Sequence, residues 1–260
     1  MVISEPLTNP AGWRHCHLNE TGSTNTDVLA VAREGEDGRL WITAGRQSSG
    51  RGRQGRVWVS EPGNLYASAL LIDPAPMARL GTLPFVAACA LHATLAELKP
   101  LKLHKVQIKW PNDILVDGAK ISGILLESSV LPNGKVAVAC GFGINAAHHP
   151  DPVLYKAADL KILGAEISPQ ALFALLVINF DAVLTIWNRG RGFDAIRTEW
   201  LRHAKGIGEM ISVNLAGTRI DGIFEDIDRD GCLMLALANG HKQLISAGDV
   251  FFPAHSGATS

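Results

Sequence analysis

Between Gly45 and Arg56 the chain reads Gly-Arg-Gln-Ser-Ser-Gly-Arg-Gly-Arg-Gln-Gly-Arg. Arg46, Arg51, Arg53 and Arg56 alternate with Gly45, Gly50, Gly52 and Gly55, and no acidic residue lies between Trp41 and Ser60. Glycine lets a backbone approach a ligand closely, and guanidinium groups present forked donors to carboxylate and phosphate oxygens. The segment reads as an anion-binding loop able to fold over a ligand. From the residues alone, a solvated basic loop and an RNA-binding tract stay open as alternatives. A Walker loop is excluded because the G-x-x-x-x-G-K-[ST] spacing is absent. A dinucleotide fingerprint is excluded too, because no apolar strand-to-helix run frames the glycines.

Lys109-Trp-Pro-Asn-Asp113 is the second chemistry-bearing segment. Pro111 stops an incoming strand, leaving Asn112 and Asp113 in a tight turn with exposed side chains. Lys109 and Lys120 bracket this turn, and Lys120 opens an otherwise apolar strand, Ile121 to Leu126. Such a lysine is either a solvated strand end or a cation aimed into a site. Thr21-Gly-Ser-Thr-Asn25 reads on its own as a helix cap. Gly141-Phe-Gly-Ile-Asn145 reads as a turn closing a strand, where glycines let a flat ligand lie against the backbone. The nine histidines, His148-His149 included, show no metal-ligand spacing and read as surface residues. Cys16, Cys89, Cys140 and Cys232 are scattered, as expected of reduced, partly buried thiols in a cytoplasmic protein.

These segments need a scaffold, and the pattern predicts one. A short helix from Ser23 to Arg33, capped by Ser23 or Thr24, precedes a strand at Leu40–Ala44. The loop follows, then a strand at Leu65–Ile72 and a helix at Leu83–Leu98. Val106 to Ser128 reads as a meander with a hairpin at Asp117-Gly118. Further elements are a strand from Lys135 to Gly141 and helices at Pro169–Trp187 and Phe193–Leu201. Strands and helices in mixed order favour an α+β domain. After Gly206, short runs punctuated by Ala-Gly, Asp-Gly and Asn-Gly at about 10-residue spacing predict a small self-closing β-barrel, with the last residues frayed. The expected division is 1–205 and 206–260. At 260 residues and 47% hydrophobic, the chain can fill a sizeable core. Its net charge of −1 argues against DNA or an anionic membrane as partner. The N-terminus shows no secretion signal. The apolar runs Leu83–Leu98 and Leu172–Trp187 fall short of the roughly 20 residues a bilayer span needs.

Taken together and in this order, the segments resemble biotin protein ligase. The resemblance rests on Ser23-Thr24-Asn25, Gln47 with Gly50-Arg-Gly-Arg-Gln-Gly-Arg56, Lys109-Trp-Pro-Asn-Asp113, Lys120 leading into Ser122-Gly-Ile124, and Gly141-Phe-Gly-Ile-Asn145. It covers nearly all of the chain. It implies the α+β catalytic fold shared with class II aminoacyl-tRNA synthetases, followed by a small C-terminal SH3-like β-barrel. It also implies ATP-dependent activation of biotin as biotinyl-5′-AMP and transfer to a lysine of a biotin carboxyl carrier domain, as in acetyl-CoA carboxylase.

By resemblance, Lys120, Arg53 and Asp113 carry catalysis. Ser23, Thr24, Asn25, Gln47, Gly50, Arg51, Gly52, Arg53, Lys120 and Gly123 bind biotin. Arg53, Arg56, Trp58, Lys109, Asn112, Asp113 and Asn145 face ATP. Mg²⁺ is expected on the triphosphate, held mainly by phosphate oxygens and water with no protein ligand assigned, Asp113 being the best candidate. Closure of the Gly/Arg loop is expected to keep water from the acyl-adenylate. Two departures stand out. The chain leaves no room before Ser23 for the winged helix-turn-helix of repressor members, so a monofunctional ligase without DNA binding is expected. Phe142 stands between the glycines of Gly-x-Gly-Ile-Asn, a bulk that would narrow the nucleotide pocket. Rival readings are a lipoate-protein ligase or octanoyltransferase, a catalytically silent biotin-binding regulator, and an RNA-binding protein. A homodimer through an exposed sheet edge stays open.

Overall fold

The computed structural model describes residues 12–150, 155–215 and 218–252. The expected Ala216-Gly217 turn and the frayed C-terminus lie outside them. The main sheet has seven strands: β1 (Arg14–Leu18), β2 (Leu40–Ala44), β3 (Leu65–Ile72), β4 (Val106–Lys109), β5 (Asp113–Val116), β6 (Ala119–Val130) and β7 (Val136–Ile144). Their order is β1-β2-β3-β7-β6-β5-β4. β1 and β2 are parallel and every other pair is antiparallel.

The two faces of this sheet have different tasks. On one, α2 (Leu83–Ala96), α3 (Pro169–Trp187) and α4 (Phe193–His203) pack against Trp41, Ile121, Ile124, Cys140, Phe142 and Ile144. Ser168 caps α3 by accepting from the Ala171 amide at 3.2 Å, with Pro169 at the first helical position. On the other face, α1 (Thr24–Arg33) lays Val28, Leu29 and Ala32 over Leu40, Ile42, Leu70 and Ala139. The functional segments gather on this second face. Ser23 occupies the N-cap position of α1 with extended backbone, but its side chain makes no capping bond, unlike the expectation.

Three sequence expectations need correction. Helical stretches Met77–Ala96 (20 residues, mean hydropathy 1.3) and Pro169–Gly190 (22 residues, mean hydropathy 1.8) do reach the length and apolarity of a bilayer span. They outrun the apolar segments read from the sequence because each extends into a flanking turn; in the fold they supply the main core. His92 is not on the surface: it is buried and stacks on His203 with ring centroids 3.8 Å apart. Burial, and then the neighbouring His203, push its pKa down to about 4. Gly141 to Gly143 is not a turn, because β7 runs on to Ile144. Cys16, Cys89 and Cys140 are buried free thiols and Cys232 is half-buried, as expected.

The C-terminal strands β8 (Met210–Leu215), β9 (Thr218–Ile227), β10 (Leu233–Ala236), β11 (Lys242–Ile245) and β12 (Asp249–Phe251) form the small SH3-like antiparallel unit. Asp230-Gly231 and Asn239-Gly240 make its tight turns, with Gly231 at φ +87° and Gly240 at φ +81°. Its core (Ile211, Val213, Phe224, Leu233, Leu235) is continuous with the main one.

Candidate active site

Lys120 reaches the site face because of one extra residue in β6. Ile114 of β5 pairs with Ser122, whereas the next residue, Leu115, pairs with Lys120, so Ile121 is a bulge. A bulge flips the alternation of side chains along a strand. Ile121 and Ile124 therefore both enter the core, while Lys120 and Gly123 share the opposite face. Lys120 Nζ lies 2.8 Å from Asp113 Oδ1, with both side chains less than a fifth exposed. Asp113 opens β5 and is half-buried, rather than sitting exposed in a turn.

The floor beside Lys120 has no side chains. Gly123 and Gly143 are register partners on β6 and β7. A Cβ built on Gly143 would lie 2.6 Å from the Trp58 indole, and one on Gly123 would lie 3.0 Å from the same ring. Lys120 Nζ is 5.4 Å from that ring's centroid. The Trp58 Nε1–H is buried without a hydrogen-bond partner among the described residues. Gly141, two residues earlier, leaves room for Asn25, whose Oδ1 would be 2.3 Å from a Cβ there. Phe142 points the other way, into the core between Trp41 and Phe180 at 5.7 Å from each. It does not narrow the pocket, because strand alternation gives the site face to its glycine neighbours.

The Gly/Arg loop is pinned at several points. Gln47 accepts from the Thr24 amide (3.0 Å) and hydroxyl (3.2 Å), and donates to Ser60 Oγ at 3.1 Å. The Ser68 hydroxyl lies 2.7 Å from Thr24 Oγ1 and donates to Asn25 Oδ1 at 2.6 Å. Gly50 allows the loop to pass where a Cβ would meet Ser60 Oγ and Trp58 O at 2.5 Å. Arg51 turns to Glu127, donating to both carboxylate oxygens at 3.0–3.2 Å, and also donates to Thr26 at 3.0 Å. Asn25 Nδ2 donates to the same carboxylate at 2.8 Å. A cavity of about 500 Å³ lies along the loop, lined by Gln47, Gly50, Arg51, Trp58 and Ser60 among others.

On the other side of Lys120, Lys109 and Asp113 are cross-strand partners at the ends of β4 and β5, joined by a cis Trp110–Pro111 turn. Burial pushes the Lys109 ammonium down; Asp113 opposes that and Lys120 adds to it. Arg53 donates to Gly248 O at 3.2 Å and lies 3.5 Å from Asn112 Oδ1. Burial disfavours its charge, and Asp249 and then Asp113 counter this. Arg56 pairs with Asp249, which opens β12, and Lys109 Nζ stands 5.8 Å from the Phe251 ring.

Lys120, Asp113, Lys109, Gly123, Trp58, Arg53 and Asn112 thus converge from five segments. The buried Thr24 and Asn25 and the half-buried Gln47 form an adjoining polar cluster, and Ser23 is buried beside them. Arg51 and Arg56 have their guanidinium groups engaged by carboxylates, and Asn145 is buried with its amide donating to Ala158 O at 3.0 Å, behind Lys120. Gly52 is open around its α-carbon. Sequence reasoning missed Glu127, Ser60, Ser68 and Asp249. Glu127 falls on the same face of β6 as Gly123, a signal that strand alternation carries; nothing local to Asp249 marks it. Among the described residues no group of three or more His, Cys, Asp or Glu side chains could hold a metal ion.

Residues 18–145 match the Biotin/lipoate A/B protein ligase family, and residues 206–252 match the biotin protein ligase C-terminal domain. The chain is 38% identical over 244 residues to a biotin--[acetyl-CoA-carboxylase] ligase of Paracoccus denitrificans, covering 90% of this chain and 99% of that one. It is 30% identical to the enzyme of that name from Mycobacterium tuberculosis, covering 92% and 90%. The structure of a biotin protein ligase from Aquifex aeolicus in complex with biotin and ATP superimposes with a TM-score of 0.76 at 26% identity, covering 91% of this chain and 97% of that one. With this likeness along nearly its whole length, the chain belongs to the biotin protein ligase family.

Proposed function

We propose that this chain activates biotin with ATP as biotinyl-5′-AMP and transfers the biotinyl group to a lysine of the carboxyl carrier domain of a carboxylase. The observation that carries it is the bulge-aimed Lys120, held by Asp113 at the edge of the Gly123–Gly143 floor. The glycine floor seats the flat Trp58 ring, and the ammonium beside that ring is placed to meet the ligand's carboxylate.

The first step joins two anions. The biotin carboxylate attacks the α-phosphorus, the acyl–phosphate bond forms, and pyrophosphate leaves. Lys120 and Arg53 would offset the charge on the reacting oxygens, and positioned cations of this kind are the main requirement of such a step. In the second step the carrier lysine, as the free amine, attacks the acyl carbon; AMP leaves and the amine gives up its proton. Thr24, Asn25, Gln47, Gly50 and Gly52 would shape the ureido end together with the backbone of Gly123 and the buried Ser23. Lys109, Asn112, Asp113 and Trp58 would face the nucleotide, with Arg56 toward the phosphates. Arg51 would act by fixing the loop through Glu127, and Asn145 by fixing the segment behind Lys120. Mg²⁺, when bound with ATP, would neutralise the triphosphate, held mainly by phosphate oxygens and water.

The reading extends to a cytoplasmic enzyme acting on acetyl-CoA carboxylase or a related carboxylase, with the catalytic part ending near Lys205 and without DNA or membrane as partner. The test is intact mass of an isolated carrier domain incubated with the chain, ATP, Mg²⁺ and biotin. A gain of one biotinyl group, absent with lipoate, is expected; a gain with lipoate instead would refute the substrate assignment. Loop closure predicts slower trypsin cleavage between residues 45 and 60 when biotin is added.

A further inference from the structure

A second cavity, of about 400 Å³, opens where the main part of the fold meets the C-terminal strands, lined by Arg79, Arg189, Arg191 and Arg229 with Phe193 and Asp194. None of its lining residues belongs to the Gly/Arg loop or to the surroundings of Lys120.

The arginines are brought there by built structure. Arg79 lies in a 3-10 turn, Met77–Thr82; Arg189 and Arg191 lie in and after another, Asn188–Gly190. A buried relay locks the two turns together: Trp187 Nε1–H donates to Thr82 Oγ1 at 2.8 Å, and that hydroxyl donates to Arg79 O at 2.7 Å. Asn188, Arg189 and Gly190 all have left-handed backbone, at φ +45°, +57° and +88°. Such a run is costly for residues other than glycine. Gly190 leaves space for the Arg79 stem, since a Cβ there would lie 2.6 Å from Arg79 Cβ. Arg229 comes from the β9–β10 turn, across the junction.

The charge is under-compensated. Asp230 reaches Arg79 only at 3.7 Å and Arg229 only at 3.9 Å. Arg189 has no ion pair or hydrogen bond among the described residues, and Arg191 meets only Asn188 Oδ1 at 3.3 Å. The eleven-residue helix α4 starts at the cavity wall, and no side chain caps its N-terminus. Asp194 in its first turn lines the same cavity and offsets its dipole, so the four arginines face two carboxylates, Asp194 and Asp230.

We propose that this cavity is a second anion site that takes a small oligophosphate of diphosphate or triphosphate size. Four arginines lining one concave space suit one compact polyanion, because phosphate oxygens accept forked donors from several directions. A bound oligophosphate would link Arg229 to Arg79 and Arg189. The unit that carries Arg229 also supplies Gly248 O to Arg53 and Asp249 to Arg56.

The test uses inorganic triphosphate and the full chain, by isothermal titration calorimetry. In an Arg53→Gln/Arg56→Gln background, which weakens anion binding at the candidate active site, one saturable site is expected to remain, competed by diphosphate and weakened by added salt. Adding Arg189→Gln and Arg229→Gln, both exposed side chains, is expected to weaken it at least tenfold while the circular dichroism spectrum and Tm stay unchanged. Absence of saturable binding in that background overturns the proposal, as does an affinity unmoved by the second pair of substitutions. Tighter binding of an oligoglutamate peptide than of triphosphate also overturns it, in favour of a protein-docking surface. Should the loop background fail to fold, stoichiometry decides: two triphosphates per wild-type chain and one per R189Q/R229Q chain are expected, and an unchanged number overturns it.

Discussion

Replacing Lys120 with alanine should separate activation of biotin from its binding. At 2.8 Å the Lys120–Asp113 attraction is about 6 kcal/mol gross at an effective dielectric of 20, much of it offset by desolvation of two side chains less than a fifth exposed. The ground-state biotin carboxylate would feel the ammonium as one charge among several. In the transition state, charge builds on the reacting oxygens, and a positioned donor is worth about 10²–10³ in rate, or roughly 3–4 kcal/mol. Lys120→Ala also leaves the Asp113 carboxylate unpaired beside that charge. Biotin-dependent exchange of labelled pyrophosphate into ATP should therefore fall about 10²–10³-fold in kcat, whereas biotin affinity by calorimetry weakens less than about tenfold. Lys120→Ala/Asp113→Ala should lose less than the product of the two single losses, because the unpaired carboxylate is gone. Normal turnover in Lys120→Ala, or a loss confined to KM, would refute the role assigned to Lys120.

Other outcomes follow from the same geometry. Glu127→Gln removes the charge that holds Arg51 and Asn25, so trypsin should cut the unliganded loop several-fold faster and KM for biotin should rise; equal cleavage would show that the loop is held elsewhere. Gly141→Ala places a Cβ 2.3 Å from Asn25 Oδ1 and should cost about 1–3 kcal/mol, read as a lower urea midpoint at unchanged slope. His92, buried with its pKa pushed down to about 4, binds its proton less readily folded than unfolded. Stability should thus be intact above about pH 6.5 and fall as pH drops toward 4, by up to about 3 kcal/mol; His92→Gln should flatten that slope, and an unchanged slope would place the titration elsewhere.

Much of this molecule is legible in its residues. Apolar periodicity marks α1, which buries one side, whereas α2, β2 and β3 show as continuous apolar runs because they are buried on nearly every side. The Gly/Arg loop and Lys-Trp-Pro-Asn-Asp stand out because their composition suits nothing but a loop and a stopped strand. Other features needed the assembled fold. The extra residue at Ile121 depends on register against β5, and it alone turns Lys120 out of the core toward Asp113. Which way Phe142 points depends on β7 continuing as a strand, sandwiched between β3 and β6, rather than turning at Gly141. The partners of Arg51 and Arg56, Glu127 and Asp249, lie 76 and 193 residues away along the chain. Local sequence sets which groups are available, whereas long-range pairing sets what faces what. In this chain a one-residue change of register decides whether the ammonium enters the core or the site.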